Sequence, residues 1–261
     1  MFDPSTLLRS AQGLLAMTQI SGTFHPMPTE KEVYETHADQ YERLVQREDY
    51  QGNLLSAIES YCPLDGLDVV ELGAGTGRIT RLLAPYVKSI KAFDTSAHML
   101  EIAEKSLREM GLSNWEVGVA DHRRVPVPDS SADLVISGWS FCYLAVWGGE
   151  EWRVALDDGL KEIERIIRPG GTVLIIESLG TGTEKPRPPE HLEPYFDWLS
   201  ESGFERGWVR TDYRFESLAE AVELSTFFFG QEMGQKVREN NWRILPECTG
   251  VWWKQVKSGH V

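Results

Sequence analysis

The sequence predicts an α/β protein built on a doubly wound, mostly parallel β-sheet, and three observations support this. Between residues 67 and 177, apolar segments of strand length alternate with segments of helix length. The first of them, residues 67–72, is apolar on both faces after Asp68, as in a central parallel strand covered on both sides. A glycine-rich turn at residues 73–77 joins it to the next helix. This alternation favours a parallel sheet with right-handed crossovers.

The N-terminal part, residues 1–60, is predicted to be a helical cap, with helix expected from about residue 5 onward. Thr29 and Glu32 have the T-x-x-E spacing of a capping box, in which two side chains bind free amide groups at a helix start. Beyond it, apolar and aromatic residues that include Tyr34 and Tyr41 recur at helical spacing. A second helix is expected over residues 51–61, ending before Pro63.

Residues 61–180 are predicted to form the core of the sheet. The helices expected between its strands are residues 78–87, a helix that stops at Gly111, and a long helix over about residues 150–168. The long helix is expected to end at an Arg-Pro-Gly-Gly turn that starts at Arg168. The predicted strands are residues 67–72, 89–94, 115–120, 132–137 and 172–177.

Residues 181–261 are predicted to complete a seven-stranded sheet within one compact domain. A helix is expected near residues 194–202, a strand around residues 208–215 and a closing strand around residues 249–255. The last two strands are separated by one predicted helix, from Ser217 to about Arg238. Because the connection is a helix of about 20 residues rather than a tight turn, this segment is predicted to be a helical insert.

Composition indicates an ordinary globular chain and argues against a nucleic-acid partner. Hydrophobic residues make up 41% and charged residues 25% of the chain. The 26 Lys and Arg residues against 40 Asp and Glu give a formal net charge of −14. Nucleic-acid affinity depends largely on basic side chains that neutralise phosphates, so this charge is unfavourable for it.

The three cysteines, Cys62, Cys142 and Cys248, are far apart and lack the spacing of metal ligands. Neither a metal site nor a disulfide framework is therefore expected. No apolar run approaches the ~20 residues of a membrane span, and the chain does not begin with a signal-peptide pattern. We expect a cytoplasmic protein without a membrane or metal partner; its oligomeric state stays open.

The glycine-rich turn has the sequence ELGAGTGR at residues 71–78. Its first glycine permits a tight turn, and the next lets a ligand lie against the backbone, where a Cβ would clash. A dinucleotide fingerprint G-x-G-x-x-G would place its third glycine at position 78, which is Arg78. The spacing therefore disfavours a nicotinamide dinucleotide, although a glycine triplet alone also fits a plain strand-to-helix turn.

Asp94 closes the second predicted strand. An acid at the carboxyl edge of a parallel sheet can accept hydrogen bonds from both hydroxyls of a ribose. Such an acid also occurs as a simple strand cap. Its place after the glycine-rich turn favours the ribose contact.

In this order, these motifs resemble those of class I S-adenosylmethionine-dependent methyltransferases, which have a Rossmann-like fold. The resemblance is closest to the bacterial type 11 small-molecule methyltransferases and covers residues 68–177. It includes the G-x-G-x-G turn preceded by Glu71, the block at residues 126–139, and the helix, Arg-Pro-Gly-Gly turn and strand at residues 160–177. It implies S-adenosylmethionine as cofactor, with its methionine end held by the glycine-rich turn.

The resemblance also implies roles for single residues. It implies that Met99 packs on the adenine, that Asp121 takes the adenine amino group, and that a helix with Tyr34 and Tyr41 closes over the cofactor. A tyrosine ring suits a sulfonium because its face attracts a cation, but both tyrosines fit equally well as packing residues of a cap helix. The predicted cofactor residues are Tyr34, Tyr41, Glu71, Gly73, Ala74, Gly75, Gly77, Asp94, Thr95, Met99, Ala120, Asp121, His122, Ser137, Gly138 and Trp139.

The methyl acceptor is expected to be a small, partly hydrophobic molecule. Methylases of nucleobase amino groups carry an Asn/Asp-Pro-Pro-aromatic turn after the fourth strand, whereas this chain has SGWS at residues 137–140. We predict that the insert and the N-terminal helices form a lid over a substrate pocket. Its predicted residues are Trp139, Tyr143, Phe228 and Phe229. The alternative is that the phenylalanines only dock the insert helix.

The sequence does not assign a catalytic base. His122, Tyr143, His191 and Glu232 are candidates, and spacing favours none of them. The predicted activity is methyl transfer to an O, N, S or C nucleophile. The alternatives are a non-catalytic S-adenosylmethionine-binding protein and, disfavoured by the glycine spacing, an NAD(P)-dependent oxidoreductase.

Overall fold

A seven-stranded sheet runs through the protein in the computed structural model, which describes residues 17–20, 23–26 and 37–257. The strands of this sheet are β1 (Asp68–Leu72), β2 (Ser89–Asp94), β3 (Trp115–Val119), β4 (Ala132–Gly138), β5 (Ile167–Thr181), β6 (Glu205–Arg210) and β7 (Glu247–Gln255).

The strand order across the sheet is β3–β2–β1–β4–β5–β7–β6. Strands β1 to β5 run parallel to their neighbours among themselves, whereas β7 is antiparallel to both β5 and β6. The prediction of a doubly wound, mostly parallel, seven-stranded sheet is confirmed. The ends of the parallel strands meet along one side of the sheet, here called the carboxyl edge, where ligands bind in such folds.

Nine α-helices surround the sheet in the described part of the chain. Helix α3 follows β1, α4 connects β2 to β3, and α6 precedes β5. Their bounds are α1 (Ala38–Val45), α2 (Asn53–Tyr61), α3 (Arg78–Leu83), α4 (Ala97–Glu109), α5 (Tyr143–Val146), α6 (Trp152–Ile166), α7 (Glu193–Glu201), α8 (Leu218–Phe229) and α9 (Gln231–Glu239).

Apolar side chains cover both faces of the sheet. Along β1, Val70 and Leu72 belong to a core cluster with α6 and α7, whereas Val69 belongs to a second cluster with Leu54 of α2 and Leu83 of α3. Successive strand residues point to opposite faces, so a central strand needs apolar residues at nearly every position.

The connection between β6 and β7, residues 211–246, is the insert. It contains α8, α9 and a short antiparallel pair, Tyr213–Arg214 with Ile244–Leu245. A third apolar cluster joins Leu224 and Val237 of the insert to Leu44 of α1. The insert therefore packs on the N-terminal helix α1.

Three expectations about the elements are wrong. The single helix predicted from Ser217 to about Arg238 is broken into two, because Gly230 has φ +91° and ψ 170°, which lie outside the helical region. Residues 17–20 and 23–26, expected to be helical, pair as antiparallel strands. Their β-branched and aromatic content favours strand over helix.

The third error concerns strand boundaries. β5 begins at Ile167, where the backbone is extended, so the Arg-Pro-Gly-Gly segment is part of the strand. The strand predicted around residues 208–215 is also divided, since β6 ends at Arg210 and the next pairing lies within the insert. No helix in the described ranges is both long and apolar enough to cross a membrane.

Candidate cofactor site

The glycine-rich turn at residues 73–77 lies at the carboxyl edge and is fixed by backbone hydrogen bonds. The amides of Gly73 and Ala74 both donate to the carbonyl oxygen of Phe93 in β2, at 2.7 and 2.9 Å. The amide of Gly77 donates to the carbonyl of Ala74 at 2.8 Å, and α3 begins at the next residue. These hydrogen bonds hold the turn against β2.

Asp94 ends β2 directly beside this turn. Its Oδ2 accepts from the amide of Gly75 at 2.8 Å, and its Oδ1 accepts from the amide of Ser96 at 2.8 Å. A carboxylate oxygen can accept more than one hydrogen bond, so each oxygen retains capacity after these contacts. Asp94 is thus oriented by the backbone and can still accept from two hydroxyls.

Gly73 is where three segments of the site approach one another. Its φ is +73°, and a Cβ there would overlap the side chain of Ser140 and lie 3.0 Å from Nε2 of His122. Nε2 of His122 is itself 3.1 Å from Oγ of Ser140. Only glycine fits at this position, because both the backbone conformation and the neighbouring side chains exclude a Cβ.

Several buried polar atoms at the turn have no hydrogen-bond partner. They are Oγ1 of Thr76 within the turn, Nη2 of Arg78 directly after it, and Oγ of Ser137 near the end of β4. Buried polar groups are nearly always paired, and an unpaired one costs roughly 1–3 kcal/mol. These donors and acceptors suit a polar ligand that lies across the turn.

The remaining residues of the predicted adenosine contact lie around Asp94. Met99 is buried, and its Cε is 3.6 Å from the position that a Cβ of Gly75 would take. The amide of Ala120 donates to the carbonyl of Asp94 at 3.0 Å. Thr95 is exposed at the start of the loop into α4. The structure therefore brings these residues to one end of the carboxyl edge.

Asp121 and His122 differ in their hydrogen-bond partners and in what shifts their pKa. Both carboxylate oxygens of Asp121 accept from the guanidinium of Arg123 at 2.7 Å, which lowers the pKa of Asp121. Burial lowers the pKa of His122. His122 is therefore neutral at pH 7 and faces Ser140 and Gly73.

Glu71 is placed inside the protein next to α3. It is fully buried, and Oε2 accepts from the hydroxyl of Thr80 at 2.5 Å. Burial raises its pKa to about 8, against the opposing effect of the Thr80 hydrogen bond. In this structure its carboxyl therefore joins β1 to α3, a contact that the sequence does not indicate.

The N-terminal residues of the predicted site are only partly described. Tyr34 lies outside the described residues. Tyr41 of α1 has its ring 5.7 Å from that of Phe228 in α8. Burial raises the pKa of Tyr41, and the charges of Arg78, Glu48 and Asp94 also act on it. Tyr41 therefore lies where α1, the insert and the carboxyl edge meet.

Arg78 and Glu48 are site residues that the sequence does not single out. Nη1 of Arg78 is 2.7 Å from Oε2 of Glu48, and the guanidinium lies over the ring of Trp139, 3.7 Å from its centre. Trp139 has φ +51°, uncommon for a bulky residue, and its amide donates to the carbonyl of Ile176 at 2.6 Å. Glu48 carries no motif, so only the fold reveals it.

The end of β4 is closely packed. Ser137 is buried, and a Cβ at Gly138 would lie 3.0 Å from Cγ1 of Ile79 in α3. A larger residue at position 138 would therefore push α3 away from β4. This contact keeps the turn at residues 73–77 close to the loop that follows β4.

The predicted substrate-pocket residues have different neighbours in the structure. Trp139 lies at the carboxyl edge, but Tyr143 stacks on Trp147, with ring centres 4.4 Å apart. Phe228 contacts Tyr41, and Phe229 packs edge-on against Tyr213 at 5.8 Å. The candidate bases His191 and Glu232 are exposed.

The loop after β4 is anchored by a buried carboxyl. Oε1 of Glu177 in β5 accepts from the amide of Cys142 and from the hydroxyl of Tyr195, both at 3.0 Å. Burial raises the pKa of Glu177 to about 7. The bond from Cys142 fixes the loop that carries Trp139 and Tyr143 to β5, and the bond from Tyr195 joins the same carboxyl to α7.

Residues 70–175 match the family model described as a methyltransferase domain. A malonyl-[acyl-carrier protein] O-methyltransferase from Marinomonas sp. is 35% identical over 138 residues, which cover 52% of this chain and 47% of that protein. The ubiquinone/menaquinone biosynthesis C-methyltransferase UbiE from Rubrivivax gelatinosus is 30% identical over 138 residues, 53% and 47% of the two chains. The chain thus spans about half the length of these curated relatives.

Solved structures share the fold at low sequence identity. The YcgJ protein from Bacillus subtilis superposes with a TM-score of 0.54 at 14% identity, covering 81% of this chain and 100% of that one. A SAM-dependent methyltransferase from Aquifex aeolicus covers 97% and 98% of the two chains, with a TM-score of 0.50 and 17% identity.

The strand order, the glycine-rich turn with Asp94 beside it, and the family match agree with one another. Residues 70–175 of this chain therefore match the methyltransferase-domain family model and lie on a Rossmann-like sheet.

Proposed function

We propose that this protein is an S-adenosylmethionine-dependent methyltransferase that acts on a small, partly hydrophobic molecule. The observation that carries this proposal is the arrangement of Asp94 and the glycine-rich turn. Backbone amides on both sides hold the Asp94 carboxylate, while the turn beside it presents unpartnered polar atoms. This donor and acceptor set suits a ribose joined to a charged amino-acid group.

The chain's own residues would bind and orient the two reactants. Asp94 accepts hydrogen bonds from the ribose hydroxyls, and Met99 provides an apolar surface for the adenine ring. Arg78 and Thr76 provide hydrogen-bond donors for the amino-acid end. The cofactor supplies a methyl group on a positively charged sulfur. Since that donor is already activated, most of the protein's contribution is to position the acceptor and exclude water.

The acceptor atom is not fixed by the relatives, because one is named an O-methyltransferase and another a C-methyltransferase. A net charge of −14 supports a small molecule over a nucleic acid. Trp139 at the carboxyl edge and the phenylalanines of the insert support an acceptor with apolar parts. All three cysteines are unbridged, which supports the cytoplasm as the location.

Calorimetric titration with S-adenosylhomocysteine tests the cofactor, with Asp94→Asn as the variant and the exposed Asp65→Asn as its matched control. We expect micromolar binding by the wild type. Loss of one charged hydrogen-bonding group costs about 1.5–3 kcal/mol, so Asp94→Asn weakens binding about 10- to 150-fold. Absence of binding by a folded wild type, or unchanged affinity in Asp94→Asn, would contradict the proposal.

Turnover separates a methyltransferase from a protein that only binds the cofactor. The wild type is incubated with S-adenosylmethionine and a panel of phenols, alcohols, amines and thiols, and S-adenosylhomocysteine is measured. Formation that depends on the acceptor supports the enzyme. Binding without turnover of any acceptor supports the non-catalytic alternative.

A further inference from the structure

Glu247 is a buried carboxyl at the carboxyl edge that has no assigned role. It begins β7 and pairs with Thr181, the last residue of β5. Its side chain is 0% exposed, and neither Oε1 nor Oε2 has a hydrogen-bond partner. Burying an unpaired polar group is costly, so such a group in a folded protein calls for an explanation.

The other buried carboxyls in the described part of the chain are all paired. Glu71 accepts from Thr80, and Glu177 accepts from Cys142 and Tyr195. Glu42 binds Arg81 at 2.6 Å, and Asp212 binds Arg210 at 2.7 Å. Glu247 differs from them, because no donor meets hydrogen-bond geometry at either oxygen, although the hydroxyls of Thr181 and Ser178 lie close enough to lower its pKa.

The insert covers Glu247. Leu245, two residues before it, packs in the cluster that includes α8 and α9. Gly182, directly after β5, donates its amide to the carbonyl of Pro246 at 2.7 Å, and a Cβ there would lie 3.1 Å from Cε of Met233 in α9. The carboxyl thus lies between the end of β5 and the underside of the insert.

Charged and titratable groups connect Glu247 to the glycine-rich turn. Burial raises its pKa, and the charge of Glu48 raises it further, whereas the hydroxyls of Thr181 and Ser178 and the charge of Arg78 lower it. Tyr213 of the insert is also close enough to interact with it electrostatically.

Glu48 is already engaged. It pairs with Arg78 at 2.7 Å and accepts from the hydroxyl of Thr211 at 3.0 Å. The backbone amide of Glu247, unlike its side chain, is paired, since it donates to Oδ1 of Asp212 at 3.0 Å. Glu247 is therefore the carboxyl of this cluster that can still accept a proton from a ligand.

We propose that Glu247 is the general base for an acceptor that binds beneath the insert and carries a reactive O–H or N–H group. This proposal rests on the proposed function. In the transfer, the acceptor's oxygen or nitrogen forms a bond to the methyl carbon as the methyl–sulfur bond breaks. The electron pair of that bond stays on sulfur, and the acceptor's proton passes to the Glu247 carboxylate.

The proposal predicts a pH dependence with a defined sign. A carboxyl whose pKa is raised becomes a base only as the pH rises past that pKa. The kcat of the wild type therefore increases with pH through the neutral range. Glu247→Gln keeps the shape of the side chain but cannot accept the proton. Its kcat is therefore expected to lose the increase with pH, here called the rising limb.

The test compares wild type, Glu247→Gln, Glu247→Asp and the exposed control Glu184→Gln, using an alcohol, phenol or amine from the acceptor panel. We expect kcat to fall at least about 100-fold in Glu247→Gln, with the dissociation constant of S-adenosylhomocysteine changed less than about threefold. Glu247→Asp retains a carboxylate and is expected to recover part of the rate and the rising limb. Glu184→Gln behaves as wild type.

The outcomes distinguish the two proposals. If the wild type does not bind S-adenosylhomocysteine, the proposed function fails. If it binds but methylates no alcohol, phenol or amine, or if Glu247→Gln keeps its kcat and pH profile, the assignment of Glu247 is wrong. If Glu247→Gln does not fold, the pH dependence of kcat in Glu247→Asp decides. A rise of kcat at the same pH as in the wild type contradicts the assignment.

Discussion

The guanidinium of Arg78 lies 3.7 Å from the centre of the Trp139 ring, so the residue after the glycine-rich turn touches the residue after β4. Arg78 also pairs with Glu48, which follows α1. One side chain therefore connects three segments of the site. Its second terminal nitrogen, Nη2, is buried without a partner.

We expect Arg78→Lys to weaken binding of S-adenosylhomocysteine by at least about tenfold. A lysine has one terminal nitrogen in place of the two of a planar guanidinium. It therefore cannot bind Glu48 with one nitrogen and direct a second toward the turn. The loss concerns the amino-acid end of the ligand. Binding of 5′-deoxy-5′-methylthioadenosine, which lacks that end, is expected to change less than about threefold. Calorimetric titration with both ligands measures the difference.

Arg81→Lys is the matched control for this variant. Arg81 lies one turn further along α3 and pairs with Glu42 at 2.6 Å, and it is likewise mostly covered. Arg81→Lys is expected to leave the affinities for S-adenosylhomocysteine and for 5′-deoxy-5′-methylthioadenosine unchanged. Equal losses for the two ligands in Arg78→Lys would show instead that Arg78 acts only by holding Trp139 and Glu48.

Gly73→Ala is expected to destabilise the protein and to abolish binding of S-adenosylhomocysteine. A Cβ at this position overlaps the Ser140 side chain, and φ is +73°. Strain in the left-handed region costs roughly 1–2 kcal/mol, and overpacking adds about 1–3 kcal/mol. Denaturant unfolding measures the stability, and calorimetry measures the binding.

Gly66→Ala separates these two costs. Gly66 has φ +77°, but a Cβ there meets nothing within 4 Å. Gly66→Ala therefore introduces backbone strain without a steric clash. We expect it to lose less stability than Gly73→Ala and to bind S-adenosylhomocysteine normally. If both variants lose the same free energy of unfolding, the contact between Gly73 and Ser140 has no energetic weight.

The sequence predicted the sheet and the bounds of β1 to β4 well, because central parallel strands are apolar on both faces and the turn at residues 73–77 has strict spacing. It predicted the bounds of the later strands and of the insert helices less well. The break at Gly230 depends on a single backbone conformation, and β5 continues through a Pro-Gly-Gly segment because Ile167 before it and Thr172 after it both pair with β4. Local patterns do not encode such tertiary pairing.

The site shows the same division. The positions of Asp94 and the glycines were predictable, since they follow from a motif within one strand-turn-helix unit. Glu48 and Glu247 were not, because each enters the site from a distant part of the chain and neither lies in a recognisable pattern. Side chains that meet only through topology need the structure to be found.

Glu71→Gln is expected to flatten the pH dependence of stability. The pKa of Glu71 is raised to about 8 in the folded protein, above the ordinary 4.5. Between these pH values the folded state holds a proton that the unfolded state has lost. The free energy of unfolding therefore falls as pH rises, with a contribution approaching 1.4 kcal/mol per pH unit.

Urea unfolding at pH 5, 6, 7 and 8 checks this effect. The difference between wild type and Glu71→Gln isolates the one carboxyl, because Glu177 and Glu247 contribute to both proteins. The glutamine can still accept from the Thr80 hydroxyl, so the variant gains relative stability toward pH 8. The exposed Glu59→Gln serves as control. Parallel curves for wild type and Glu71→Gln would refute the raised pKa.

Tyr41 and Phe228 join α1 to the insert, and we expect them to be energetically coupled. Their rings are 5.7 Å apart and tilted by 47°. Aromatic pairs of this kind contribute roughly 0.5–1.5 kcal/mol beyond their buried area. A double-mutant cycle with Tyr41→Leu and Phe228→Leu measures the coupling in unfolding free energy. The half-exposed Arg43–Glu223 pair joins the same two helices and is expected to couple by less than about 1 kcal/mol.

The Tyr41–Phe228 pair also tests whether α1 and the insert act as a lid. If they close over the cofactor, S-adenosylhomocysteine slows hydrogen exchange of the amides in α1 and α8, because opening then competes with binding. Phe228→Leu is expected to reduce this protection, since the contact that couples the two helices is smaller. Equal exchange rates with and without ligand, in a protein that binds it, would mean that the aromatic contact only docks the insert on α1.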